Sequence, residues 1–254
     1  MRGNMKIKPL IHVVLLSLML LALWQSAVFF FDIPRYMLPP PNDVLAQLHN
    51  RYDLLWQHSQ ITLLEIGLGL FLGLSLGLIS ALLLSASDYL SKLLLPLLVI
   101  SQAIPVFAIA PLLVLWFGYG LASKIVMTIL IIYFPVTAAC YDGLRNTSMQ
   151  WLELAKTMQV SASAMLFKVR LPAALPSFAS GLRIAVSVAP IGAIVGEWVG
   201  SSQGLGYLML HANARMQVDL MFSALLILMV ISLVLYFSVD YFLRKWLPWV
   251  QYIK

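Results

Sequence analysis

Asp142-Gly143-Leu144-Arg145-Asn146-Thr147-Ser148-Met149-Gln150-Trp151-Leu152-Glu153-Leu154-Ala155-Lys156 opens a polar island, 142–176, in an otherwise apolar chain, and Phe167-Lys168-Val169-Arg170-Leu171-Pro172 lies towards its end. Thr147 followed by Gln150 has the spacing of a capping box, which predicts a helix start. On that helix Trp151, Leu154, Ala155 and Met158 fall on one side, and Glu153, Lys156 and Thr157 lie elsewhere. Ser161 is placed to cap a second short helix. Pro172 is expected to push Leu171 out of helical geometry and stop it. The island therefore reads as two short amphipathic helices between membrane spans. An apolar stripe on such a helix needs a partner to bury it.

The membrane reading rests on composition. Of 254 residues, 61% are hydrophobic and 10% charged, where a soluble domain carries roughly 25% charged residues. The chain is an all-α integral membrane protein, read as one domain over 1–254. Six spans are expected, at about 10–31, 61–84, 93–117, 125–141, 178–199 and 220–241, since a helix needs about 20 apolar residues to cross a bilayer. The first exceeds the apolar core of a signal peptide and lacks a clear small-x-small cleavage site, so it is taken as retained. Between the first two spans, Pro39-Pro40-Pro41 is a stiff break. Val44, Leu45, Leu48, Tyr52 and Leu55 then suggest an amphipathic surface helix.

Small residues recur every fourth position in two spans: Gly69, Gly73 and Gly77, continued by Ala81 and Ser85, and Gly192, Gly196 and Gly200. Each set forms a smooth stripe along which another helix can approach closely. Gly73-Leu74-Ser75-Leu76-Gly77 formally matches a nucleophile elbow, but it lies mid-helix with no strand-to-helix turn and no partner base, so an enzyme acting through Ser75 is rejected. The third span contains Pro96, Pro105 and Pro111, which should kink it. Ser101 and Gln102 beside these kinks are candidates for lining a pathway. Glu197 joins them as an acid near the end of the fifth span, either functional or else a carboxylate that reaches the interface or is hydrogen-bonded to a neighbouring helix; acids otherwise look almost absent from the spans.

The basic residues orient the chain. Alternating spans put 12 of the 16 Lys and Arg on the side of both termini and the island, and 4, Arg35, Arg51, Lys124 and Arg215, on the other. The excess marks the cytoplasmic face. The net charge of +6 is thus spent on orientation, and nucleic acid is dropped as a partner. There is no phosphate-binding loop, no His-Glu-x-x-His, no Cys pair and no His/Asp/Glu cluster with metal spacing. No catalytic residue, metal or cofactor is expected, and ATP hydrolysis by that loop is excluded. The one cysteine, Cys140, reads as a small buried hydrophobe.

Glu153-Leu154-Ala155, three residues, Gln159, nine residues, then Val169-Arg170-Leu171-Pro172 resembles the coupling loop of permease subunits of binding-protein-dependent ABC importers. That family carries Glu-Ala-Ala, Gly, and Ile-x-Leu-Pro at the same spacing. Leu154, Gln159 and Val169 depart from it. A glycine would favour a left-handed turn, which Gln159 makes harder. Gln102-Ala103-Ile104-Pro105 through Trp116-Phe117-Gly118, and Glu197-Trp198-Val199-Gly200-Ser201-Ser202-Gln203-Gly204-Leu205-Gly206, resemble its nitrate, sulfonate, taurine and pyrimidine-precursor branch.

The resemblance implies a type I ABC importer permease fold and a homodimer of six-span chains in the bacterial inner membrane. It implies cytoplasmic ATPase subunits that dock on Trp151, Glu153, Leu154, Ala155, Lys156, Met158, Gln159, Leu171 and Pro172. It also implies a periplasmic binding protein that delivers a small nitrogen- or sulfur-bearing solute, such as a thiamine pyrimidine precursor, a sulfonate, taurine or nitrate, through a pathway in contact with membrane lipid. The spans hold no Arg or Lys cluster for a permanent anion, which favours a neutral heterocycle. The alternative from another class is an ion-coupled secondary transporter working without an ATPase, with Glu197 as its proton site.

Overall fold

The computed structural model describes residues 7–249, and all regular structure among them is helical. In chain order the helices are α1 (Ile7–Phe30), α2 (Pro41–Asn50), α3 (Tyr52–Ala86), α4 (Asp88–Ala103), α5 (Val106–Phe117), α6 (Leu121–Arg145), α7 (Met149–Thr157), α8 (Ala162–Met165), a π-helical turn (Leu166–Arg170), α9 (Leu171–Gly200), α10 (Leu205–Ala214) and α11 (Val218–Trp246). All-helical construction is one of the two solutions a bilayer allows, because each backbone polar group is satisfied within its own helix.

α3, α6 and α9 form the centre. Built at Gly73, a Cβ would stand 2.5 Å from Ile132 Cδ1, and at Gly77 2.8 Å from Val136 Cγ1. Residue numbers rise together across this contact, so α3 and α6 run parallel. From the other side, Gly192 presses on Thr128, where a Cβ would stand 2.8 Å from its Cα, and Gly196 on Lys124. There the numbers run in opposite senses, so α9 is antiparallel to α6. Thr128 is thus clamped between Gly69 of α3 and Gly192 of α9. Gly200 faces Val114 of α5. Ile66, Ile132, Val136, Ala185, Ala189 and Ala193 fill the core beneath. In a solvent as apolar as leucine, close van der Waals contact of this kind is what holds helices together.

Two parallel neighbours need a connection that returns to the starting side, and α4 with α5 provides it. The expected single kinked span 93–117 is two helices meeting at 99°. The break falls at Ile104, whose ψ of 116° is extended, directly before Pro105. Proline disfavours the α conformation of its predecessor, and Ile104 obeys. Pro96 and Pro111 stay inside their helices. Four segments, Tyr52–Ala86, Leu121–Arg145, Ala162–Gly200 and Val218–Trp246, are individually long and apolar enough to cross a membrane, and the bent pair adds a fifth crossing when taken together. α1, 24 residues long, is the remaining candidate. The terminal basic residues Arg2, Lys6 and Lys254, counted for orientation, lie outside the described residues.

Two local expectations are corrected. The capping box at Thr147 does not form: α7 starts after Ser148 with no side-chain cap, and Thr147 Oγ1 donates back to the Leu144 carbonyl at 3.1 Å. Pro172 does not stop a helix. Leu171 is helical, at φ −64° and ψ −48°, and α8, the π turn and α9 run on as one continuous rod from Ala162 to Gly200. The wider i→i+5 winding over Leu166–Arg170 displaces the carbonyls that the proline ring would otherwise strike, so the ring enters the helix at its first turn. Further along the rod, Arg183 Nε donates to Asp240 Oδ1 at 2.8 Å, and Arg244 donates to the other oxygen at 2.7 Å, tying α9 to α11.

Candidate functional site

The island forms one end of the molecule. Ser161 accepts from the Ala164 N–H at 3.4 Å and caps α8 as its position suggests. Gln159 takes up the left-handed turn itself, at φ 56°, and the Val160 N–H closes onto the Ala155 carbonyl at 3.1 Å. α7 rests mainly on the π turn. Trp151, Leu154 and Met158 are 63%, 63% and 69% exposed, joined by Met149. Ala155, expected on that same face, is buried instead. Only a small side chain fits where the helix touches down, and the bulky residues point away. Glu153, Lys156 and Gln159 are exposed beside them, and Pro172 is exposed at the start of α9. Leu171 is half-buried and packs on the cluster of Ala81, Leu84, Cys140 and Leu144.

At the opposite end of the α3–α6–α9 core, one helical turn beyond Thr128, lies a buried polar cluster. Lys124 Nζ stands 3.0 Å from Glu65 Oε1, with side chains 7% and 0% exposed. Glu197 lies against this pair. Its Oε1 accepts from Thr62 Oγ1 at 2.6 Å, and Thr62 Oγ1 accepts from the Leu205 N–H at 2.8 Å. Its Oε2 accepts from the Gly206 N–H and, at 3.4 Å, from the Tyr207 N–H. Those N–H groups are the unpaired first turn of α10, whose cap position, Gly204, has no side chain to offer. Glu197 supplies the cap from a distance, with its negative charge at the favourable end of the helix dipole. Gly204, at φ 110°, has a conformation suited to glycine, and a Cβ there would run into the Glu197 carboxyl. Its N–H donates to His58 Nδ1 at 2.9 Å. Glu197 is thus hydrogen-bonded to two neighbouring helices, α3 and α10.

Two cavities flank the cluster. One, about 690 Å³, is lined by Arg51, His58, Gln203, Tyr207, His211 and Arg215 among others; the second, about 430 Å³, reaches Glu65, Lys124 and Gln203. Ser101 instead lines a mostly apolar cavity of about 370 Å³ beside the bent pair, with Ser80 and Tyr133, whose hydroxyls bond at 2.8 Å. Gln102 is exposed and does not line it. The three pathway candidates are therefore not brought together. Glu65, Lys124 and Thr62 were not singled out from the sequence, where acids look nearly absent from the spans and Lys124 falls just before the fourth span. A signal was present: Glu65 sits four residues before Gly69, on the same stripe.

The comparisons agree with the architecture. Residues 73–248 match the family model of binding-protein-dependent transport system inner membrane components. A probable ABC transporter permease protein of Haemophilus influenzae is 68% identical over 96% of this chain and 99% of its own length. The formylaminopyrimidine transport permease protein of Halalkalibacterium halodurans is 37% identical over 92% of this chain and 94% of its own. The taurine transport system permease protein of Escherichia coli is 29% identical over 95% and 92%. Among solved structures, a chain of a methionine ABC transporter in inward-facing conformations superposes with a TM-score of 0.67 at 20% identity, over 77% of this chain and 97% of that one. That likeness concerns the fold.

Proposed function

The chain belongs to the family of binding-protein-dependent transport system inner membrane components, and from that premise we propose which of its parts meet the ATPase and what it carries. It is the permease subunit of an ABC importer, a multi-pass inner-membrane protein rather than an enzyme, and it works with a separate ATPase and a substrate-binding protein. The family sets aside the ion-coupled alternative.

In our reading, α7 is the coupling helix. The observation that carries this is the outward projection of Trp151, Leu154 and Met158 from a nine-residue helix that touches the bundle through Ala155. A large exposed aromatic with two aliphatic neighbours is the composition of a binding hot spot. ATP-driven movement of the ATPase would push α7 and the π turn as one, and the continuous rod from Ala162 to Gly200 would carry the displacement to Glu197 and the α10 cap. Both termini and α7 face the cytoplasm, and two copies pair to enclose the pathway. The solute is a small nitrogen- or sulfur-bearing molecule, with a pyrimidine of the formylaminopyrimidine kind favoured by the 37% identical relative. It would enter from the end that holds the 690 Å³ cavity, whose guanidinium, imidazole and amide groups suit a hydrogen-bonding solute.

The test uses the permease reconstituted with its ATPase and binding protein. Glu153→Lys, placed beside the exposed apolar face, is expected to leave ATP hydrolysis running while uptake is lost. Full uptake in that variant would remove α7 from the coupling role.

A further inference from the structure

At the α7 end of the molecule a cavity of about 390 Å³ opens between the end of α3, the start of α4, the end of α6 and the π turn. Three cations from three different elements line it: Lys92 of α4, Arg145 of α6 and Arg170 of the π turn. None of the described residues that line it carries a carboxylate. Arg170 reaches the Ser85 carbonyl through Nη1 at a long 3.5 Å, while its Nε is buried with no hydrogen-bond partner among the described residues. A second wall is hydroxylic, where Tyr141 Oη donates to Ser91 Oγ at 3.0 Å.

This arrangement is unfavourable as it stands. Like charges that converge repel, and a buried guanidinium N–H without an acceptor forfeits a hydrogen bond it would have made in water. One occupant answers both problems: a compact group with several anionic oxygens, which accepts from a guanidinium fork, an ammonium and hydroxyls together. The position suits it, at the end of the spans where the basic excess lies and where a bilayer presents anionic headgroups to basic pockets between helices.

We propose that Lys92, Arg145 and Arg170, with Ser85, Ser91 and Tyr141, form a binding site for a phosphate-type anion that bridges the π turn to α4 and α6. The two sources of that chemistry are a phospholipid headgroup and free phosphate. Because the π turn adjoins α7, an occupant would brace the segment through which α7 meets the bundle.

The experiment compares the full chain, purified with its ATPase, with Lys92→Gln/Arg145→Gln, both exposed positions whose loss leaves the core intact. Arg170→Lys serves as a second, charge-preserving variant. Native mass spectrometry follows delipidation of the two proteins from nanodiscs of phosphatidylcholine with phosphatidylglycerol. A separate arm measures thermal unfolding in detergent with inorganic phosphate or with chloride at equal ionic strength. Retention of phosphatidylglycerol by the parent chain, weakened about tenfold or more in the double variant and partly kept in Arg170→Lys, supports a lipid headgroup; about 1 kcal/mol for each basic residue near an anionic surface sets that scale. Stabilisation by phosphate in the parent alone, without lipid retention, supports the site with a soluble anion. If neither lipid retention nor phosphate stabilisation separates the parent from the double variant, the site does not exist.

Discussion

Glu65 and Lys124 hide from solvent together and are each other's counter-charge at 3.0 Å. A buried pair of this kind stabilises little against an apolar pair of equal volume, but losing one partner strands the other. Lys124→Met alone is therefore expected to destabilise the permease by about 3 kcal/mol, and adding Glu65→Leu to recover most of it. A double-mutant cycle on unfolding in detergent measures this, and additive losses would mean the pair does not interact. Gln159 poses the opposite case. It holds φ 56° without the glycine that the resembling family places there. Left-handed backbone costs roughly 1 kcal/mol or more in a residue with a Cβ. Gln159→Gly should raise the unfolding free energy by about 1 kcal/mol if the loop survives into the unfolding transition. An unchanged midpoint would place the island outside the cooperative unit.

Among the elements, α7 is the one whose surroundings do not explain it. Nine residues are too few to be stable alone in water, and its large apolar residues face away from the protein. In our reading a partner covers this outward face. Trp151→Ala with Leu154→Ala is expected to weaken ATPase binding by about 100-fold, on the scale of 2 kcal/mol or more for central anchors. A binding titration of the ATPase against detergent-solubilised permease reads this out, and unchanged affinity would leave α7 without a docking role. The bent α4–α5 pair makes a different point. Its 99° angle follows from one proline restricting Ile104, whereas Pro172, equally placed to break a helix, is absorbed by the π turn. The same residue type ends one helix and begins another, according to how the preceding carbonyls are wound.

Over the whole molecule, helix directions put Arg145, Lys168, Arg170 and Arg244 at one end and Arg51, Lys124 and Arg215 at the other. If the richer end faces the cytoplasm, a reporter at Gln150→Cys is sealed from an impermeant maleimide in intact cells, and one at Ser202→Cys reacts. Cys140→Ala supplies a background without the buried native thiol. The reverse labelling pattern would invert the topology and move α7 away from any ATPase.

The membrane class was legible from the composition of the chain, and the polar island and the two glycine stripes from residues 142–176, 69–77 and 192–200 alone. Partitioning and close approach are local properties: a segment is apolar enough to leave water or it is not, and a stripe repeats every turn or it does not. The buried face of Ala155 was not legible, because Ala155 shares the side of α7 with Leu154 and only the π turn decides which of them touches down. Nor was the cluster of Thr62, Glu65, Lys124 and Glu197, whose members lie up to 135 positions apart. Their meeting depends on the register of three helices around Thr128, and register is a sum of side-chain fits between segments. A periodicity read along one chain contains no term for that sum.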